Sequence, residues 1–226
     1  MPWLSAGSLQ SLLNPSSPNG LPEDLIAAFL RHVLEALVYL HREGIPHMGI
    51  KPGNILIDSN GVAKLADLCF NSSVYESRRR DPGPSPPFAM EVSGTPYWIS
   101  PEVLKSPTEF PTKSDIWSFA IVAMELAYGR CPVSEIPNSG YLKFRIAKRF
   151  QFSDHCRTPP APEIRCQEMS GEFKNMVGLC LDEDPSKRPS PEQLLLHPFF
   201  KKSKGSDFVL GFLKSLPESE NPAIAG

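Results

Sequence analysis

The chain has 226 residues, with 23 Lys+Arg against 25 Asp+Glu and a formal net charge of −2. A charge so near zero removes the electrostatic case for a nucleic-acid-binding or polybasic membrane-binding protein. The 41% hydrophobic content is enough to bury a core and excludes a disordered chain. The 25 prolines are about twice the average share and call for long irregular segments between packed elements.

Residues 1–21 read as a short helical turn, Ser8 to Leu13, followed by the loop Asn14-Pro15-Ser16-Ser17-Pro18-Asn19-Gly20. The N-terminal Met1-Pro2-Trp3-Leu4 has neither a charged region nor a long apolar one, so no secretion signal is expected. Pro22 suits a first helical position. From there Leu25, Ile26, Phe29, Leu30, Val33, Leu34, Leu37 and Val38 recur at helical spacing through Glu43, and Gly44 ends the run. The apolar arc is wide, which predicts a helix buried on more than one side.

A hairpin comes next. Ile55-Leu56-Ile57 and Val62-Ala63-Lys64-Leu65-Ala66 flank Asp58-Ser59-Asn60-Gly61, and Asn-Gly is a strong turn signal. Asn54 precedes the first strand and Asp67 follows the second, so both belong at the open end, within reach of one ligand. As isolated residues both would ordinarily be turn formers, and it is their placement on the hairpin that sets them apart.

Residues 70–92 have no periodicity and read as a mobile loop. Its Arg78-Arg79-Arg80 run could meet a phosphate or an acidic partner, or simply be solvated. A second strong helix spans Asp115 to Tyr128, with Gly129 as its stop. Its apolar stretch, Ile116 to Ala127, is interrupted by Ser118 and Glu125 and is too short to cross a bilayer. After a Pro-rich connection at 156–163, helices are expected near Ser170–Leu181 and Pro191–His197. A short apolar helix, Phe208 to Leu216, precedes a polar tail. The five cysteines (Cys69, Cys131, Cys156, Cys166 and Cys180) form no Cys-x-x-Cys pair. They read as small thiols in a reducing compartment, which makes a cytoplasmic protein the expectation.

At His47-Met48-Gly49-Ile50-Lys51-Pro52-Gly53-Asn54 the chain resembles the catalytic loop of protein kinases, His-Arg-Asp-x-Lys-x-x-Asn. The context strengthens the resemblance. Asp67-Leu68-Cys69 stands where kinases have Asp-Phe-Gly. Gly94-Thr95-Pro96-Tyr97-Trp98-Ile99-Ser100-Pro101-Glu102, Asp115-Ile116-Trp117-Ser118 and Asp184-Pro185-Ser186-Lys187-Arg188-Pro189 follow in order. The Gly-Thr-Pro-Tyr-Trp wording and the ending His197-Pro198-Phe199-Phe200 are similar to serine/threonine kinases of the sterile-20/germinal-centre branch.

The resemblance implies a mainly α fold: the helical C-terminal lobe of a kinase with a small β-hairpin, the N-terminal lobe being absent. It implies a kinase-like domain over 1–200 and a C-terminal helix and tail over 201–226. It also implies ATP and Mg2+ as cofactors, with Asp67 and Asn54 as magnesium ligands and Lys51 neutralising charge on the transferred phosphoryl group. Thr95 would line the substrate-docking loop, Glu102 would pair with Arg188, and Asp115 would hold the catalytic-loop backbone.

Four departures weigh against chemistry. Gly49 occupies the position of the catalytic aspartate and has no side chain to accept a proton; losing a general base costs on the order of 100- to 10,000-fold in rate. Met48 replaces the arginine that would pair with an activation-loop phosphate on Ser77, Ser85 or Ser93. Cys69 replaces a hinge glycine. No Gly-x-Gly-x-x-Gly occurs, and Val62-Ala63-Lys64 lies in the hairpin rather than in a phosphate-binding strand.

The expectation is a catalytically impaired pseudokinase acting as a signalling scaffold or binding module, with a protein partner docking near Thr95 to Trp98 and the helix after Tyr141. The alternative is an active serine/threonine kinase that transfers the ATP γ-phosphate to protein hydroxyls, this chain being an incomplete version. A third possibility is a product without a stable fold.

Overall fold

The computed structural model describes residues 7–13, 20–68, 97–105, 111–132, 168–201 and 203–216. The expected loop at 70–92, Cys69, Cys156, Cys166, Thr95, the serines at 77, 85 and 93, the Pro-rich connection and the helix after Tyr141 lie outside these residues.

Seven helices and one hairpin order the described chain: α1 (Leu9–Leu12), α2 (Glu23–Arg42), β1 (Ile55–Ile57), β2 (Ala63–Leu65), α3 (Pro101–Lys105), α4 (Pro111–Tyr128), α5 (Gly171–Cys180), α6 (Pro191–Leu195) and α7 (Ser206–Ser215). Short 3-10 turns sit at Pro52–Asn54, Pro185–Lys187 and Pro198–Phe200. No described helix is long and apolar enough to cross a membrane.

The helices start and stop where side-chain chemistry says they should. Ser8 caps α1 in a reciprocal box with Ser11, Ser170 caps α5 through the Phe173 N–H, and Ser190 caps α6 with Gln193. At the end of α2, the Gly44 N–H donates to His41 O and the Ile45 N–H to Leu40 O, with Gly44 at φ +70°. That is a left-handed glycine closing two orphan carbonyls. Pro22 is the cap residue of α2 itself, one position before the first-turn site the sequence suggests.

Helix α4 begins four residues earlier than its apolar pattern indicates. Thr112, Lys113 and Ser114 are polar, so periodicity could not see that turn. Its middle is buried on every side from Phe119 to Ala127, and α2 buries Leu25 to Leu30, Val33, Leu34 and Leu37. These two helices form the centre of one core, which Phe173, Met176 and Val177 of α5 and Val209 and Leu213 of α7 complete.

The glycine before α2 fixes how closely the two central helices approach. Gly20, at φ +73°, lies so near the end of α4 that a Cβ would stand 2.2 Å from the Ala127 carbonyl oxygen. The neighbouring Leu21 N–H donates to Leu126 O at 2.7 Å. Further along, Glu23 in the first turn of α2 accepts from the Ser170 N–H at 2.9 Å and from its hydroxyl at 2.5 Å. One carboxylate thereby joins the starts of α2 and α5.

The hairpin is antiparallel, with Ile55 opposite Leu65, Leu56 opposite Lys64 and Ile57 opposite Ala63. Its turn is a three-residue loop with Gly61 at φ +77°, Asn60 keeping an ordinary backbone. The Asp58 carboxylate accepts from the N–H groups of Asn60 and Val62 and pairs with Lys64 at 2.9 Å. Burial works against its charge, but the Lys64 ammonium and these N–H donors win and hold the carboxyl below its usual range. A bridge from Ser8 to Leu56 and the Ile57 N–H donated to Gly7 O add an N-terminal edge that periodicity did not reveal.

Candidate functional site

The loop from His47 to Asn54 is built around one buried carboxylate. Asp115, in the first half of α4 and 1% exposed, accepts from the His47 N–H at 2.7 Å and the Met48 N–H at 2.8 Å. His41 Nε2, in the last turn of α2, stands 2.8 Å from the same carboxylate. These bonds hold Met48 in the left-handed region, φ +59°, which a side chain with a Cβ seldom adopts unaided. Beyond it, the Gly49 N–H donates to His47 Nδ1 at 3.2 Å, and Asn54 Nδ2 donates to the Gly49 carbonyl at 2.9 Å. Gly49 is therefore fixed on both sides of its Cα, with no side chain between.

His47 is itself buried. Accepting at Nδ1 leaves its proton on Nε2, which finds no hydrogen-bond partner among the described residues. Burial lowers the imidazole pKa, while Asp115 and the nearby Ala66 backbone oppose that shift. The downward shift agrees with the acceptor role of Nδ1 at Gly49.

The hairpin brings Asn54 and Asp67 to one end. The Ala66 N–H donates to Asn54 O at 2.8 Å, which extends the ladder by one step beyond β1 and β2. Asp67 follows at φ +53°, exposed and without a hydrogen bond or ion pair among the described residues. With Asn54 Nδ2 given to Gly49, its Oδ1 is the oxygen left for a ligand. An exposed carboxylate and a side-chain carbonyl are hard oxygen donors of the kind that suit Mg2+, which takes few protein ligands and completes its shell with phosphate and water. Lys51, whose carbonyl accepts the Asn54 N–H at 2.9 Å, is exposed.

A second hub lies under α3. Arg188, its side chain 0% exposed, forms a two-pronged bond to Glu102, Nη1 to Oε1 at 2.6 Å and Nη2 to Oε2 at 2.8 Å. The same guanidinium donates to Lys113 O at 3.0 Å and Asp182 O at 2.9 Å, and lies 5.1 Å from the Trp117 ring centre. Ser114 Oγ adds a donor to Glu102 at 3.0 Å, and the Lys113 ammonium donates to the Arg188 carbonyl. Burial pushes the Glu102 carboxyl up, but the Arg188 bonds outweigh it and keep the acid ionised.

Trp98 is stapled along α4. Its carbonyl accepts from Ser118 Oγ at 2.6 Å and its indole N–H donates to Glu125 Oε2 at 2.9 Å. Ser118 and Glu125 are seven residues apart, two turns along one face. Glu125 is buried, and burial pushes its carboxyl up to about 7, the indole bond only partly offsetting it. The sequence carried a hint of this pair, since Glu125 is the one acid inside the apolar run of α4. For His41, by contrast, no sequence signal pointed to Asp115.

A protein kinase domain family model matches residues 1–200. That match over most of the chain makes it a member of the protein kinase superfamily, and the α-helical body, two-stranded hairpin and loop held by a helix-borne aspartate agree with it. Within it, the relatives define a sterile-20-like serine/threonine branch. Serine/threonine-protein kinase fray2 of Dictyostelium discoideum is 36% identical over 211 residues, 93% of this chain and 19% of its own length. Serine/threonine-protein kinase max-2 of Caenorhabditis elegans is 34% identical over 220 residues, 96% and 30%. Serine/threonine-protein kinase cst-1 of the same organism is 33% identical over 226 residues, 100% and 41%. The chain thus spans a fifth to two fifths of the length of these curated relatives.

Proposed function

We propose that this chain is a catalytically impaired member of its family, a pseudokinase that works as a signalling scaffold or binding module for a protein partner. The observation that carries the reading is Gly49. The loop around it is pinned by Asp115 and Asn54, yet the position of the proton acceptor is a bare methylene. A frame kept intact around a missing base supports binding over phosphoryl transfer. Thr95 and the Tyr97–Trp98 segment are the proposed docking surface, in a cytoplasmic setting.

Asn54 and Asp67 would hold Mg2+ and Lys51 the nucleotide phosphates, so a nucleotide could act as a ligand rather than a substrate. When bound, the metal would neutralise phosphate charge. The residues of this chain supply the oxygen donors and the exposed ammonium.

The test is transfer of labelled γ-phosphate from Mg·ATP to a basic protein acceptor, with wild-type chain, Asp67→Asn and Gly49→Asp side by side. The expected result is no turnover by the wild type above the Asp67→Asn background. Turnover by the wild type that Asp67→Asn abolishes would overturn the reading and favour the active kinase instead. Gly49→Asp shows whether restoring the carboxylate is sufficient in this chain.

A further inference from the structure

The hairpin that presents Asn54 and Asp67 is gripped at its opposite end by the last described helix. Gly61, buried in the turn, approaches α7 so closely that a Cβ would lie 2.8 Å from the Ser206 carbonyl oxygen and 3.0 Å from Leu210 Cγ. No side chain at 61 cushions this contact; backbone meets backbone. Helix α7 is seated by Val209, 0% exposed, and Leu213, 5% exposed, in the same core as α2. Its approach is tethered by Lys204, whose ammonium pairs with Asp24 at 2.7 Å and lies 4.2 Å from the Phe208 ring centre.

The rest of the hairpin is stiff enough to pass that contact on. The Asp58 carboxylate locks the turn to Lys64, and the Ala63 N–H donates to His32 Nδ1 on α2 at 3.2 Å. Each strand has only three residues, so the turn and the open end are one short lever.

We infer that residues 203–216 are a positioning strap: docking of α7 against the Gly61 turn sets the placement of Asn54 and Asp67. The functional consequence rests on the reading of those two residues as ligand donors; the mechanical coupling does not. By linkage, a ligand held at the open end would tighten α7, and anything that lifts α7 would loosen the site.

The test is amide hydrogen exchange of the full chain carrying Val209→Ala, which thins the seat of α7 and leaves every hairpin residue unaltered. The amides of Val62, Ala63 and Ala66 should exchange about tenfold faster, the loss of two buried carbons, while those of Ile121 and Val122 in α4 stay unchanged. Unchanged hairpin amides would overturn the strap. So would an equal rise in α4, which would mean a general loosening. Should Val209→Ala fail to fold, Lys204→Ala removes only the tether, and the same pattern at about two- to threefold is required. Calorimetric titration of wild type with Mg·ADP separates the two readings: silence there retires the ligand role of Asn54 and Asp67, and the exchange result stands or falls by itself.

Discussion

Glu125→Gln isolates one buried acid and makes a signed prediction. The carboxyl is 5% exposed, has Trp98 as its one hydrogen-bond donor among the described residues, and is pushed by burial from its ordinary 4.5 up to about 7. A folded-state pKa above the unfolded one means the folded chain binds that proton more tightly. Its contribution to stability is therefore complete below the ordinary carboxyl value and is lost as pH rises to about 7. A shift of that size corresponds to about 3 kcal/mol. Glutamine keeps the shape and still accepts the indole N–H, but carries no charge to bury. Urea unfolding of both proteins at pH 5 and pH 8 gives the comparison, because the histidines contribute alike to each and cancel in the difference. The wild type should lose about 2.5 kcal/mol relative to Glu125→Gln between the two conditions, slightly less than the full shift because pH 5 already lies above the ordinary carboxyl value. Parallel stability profiles would refute the argument and mean that the acid reaches water or a cation on folding.

Three further outcomes follow from contacts already described. Arg188→Leu removes a fully buried guanidinium from the half-buried Glu102 and from the carbonyls of Lys113 and Asp182, at a cost of about 3 kcal/mol, so the melting temperature should fall steeply. Gly20→Ala places a methyl 2.2 Å from the Ala127 carbonyl at φ +73°, and denaturant titration should show a loss above about 2 kcal/mol; a change within 0.5 kcal/mol would contradict the described approach of α2 and α4. His32 accepts the Ala63 N–H, and burial, with Arg31 adding to it against Glu35 and Asp58, lowers its pKa. Its contribution is thus present above the ordinary imidazole value of 6.5 and lost as pH falls toward the lower folded one. In His32→Gln, this acid-side loss, measured by unfolding from pH 7.5 to 5, should be absent.

Most of the helical framework was legible because its signals are local. The 3.6-residue recurrence from Leu25 to Val38 marks α2, and Gly44 and Gly129 mark the ends of α2 and α4 with positive φ. The hairpin, and with it the meeting of Asn54 with the end of β2, follows from two short apolar runs around Asn-Gly. The approach of Glu102 to Arg188 and of Asp115 to the His47 loop could be anticipated only through the family resemblance, since 86 and 68 residues separate those partners. What no pattern revealed are contacts made by polar residues with unrelated neighbours: His41 on Asp115, Glu23 on Ser170, Trp98 on Glu125, and the polar first turn of α4. Such bonds depend on where helices cross, which one-dimensional spacing does not encode.

The bond between Glu23 and Ser170 also has a bearing on how the chain is born. Its two ends are 147 positions apart, and translation adds roughly 5–20 residues per second. Helix α2 therefore leaves the ribosome on the order of ten seconds before α5 exists to receive it. Throughout that interval its oily flank has no permanent neighbour from α6 or α7, so nascent chains arrested between residues 60 and 170 should be the species that chaperones hold longest.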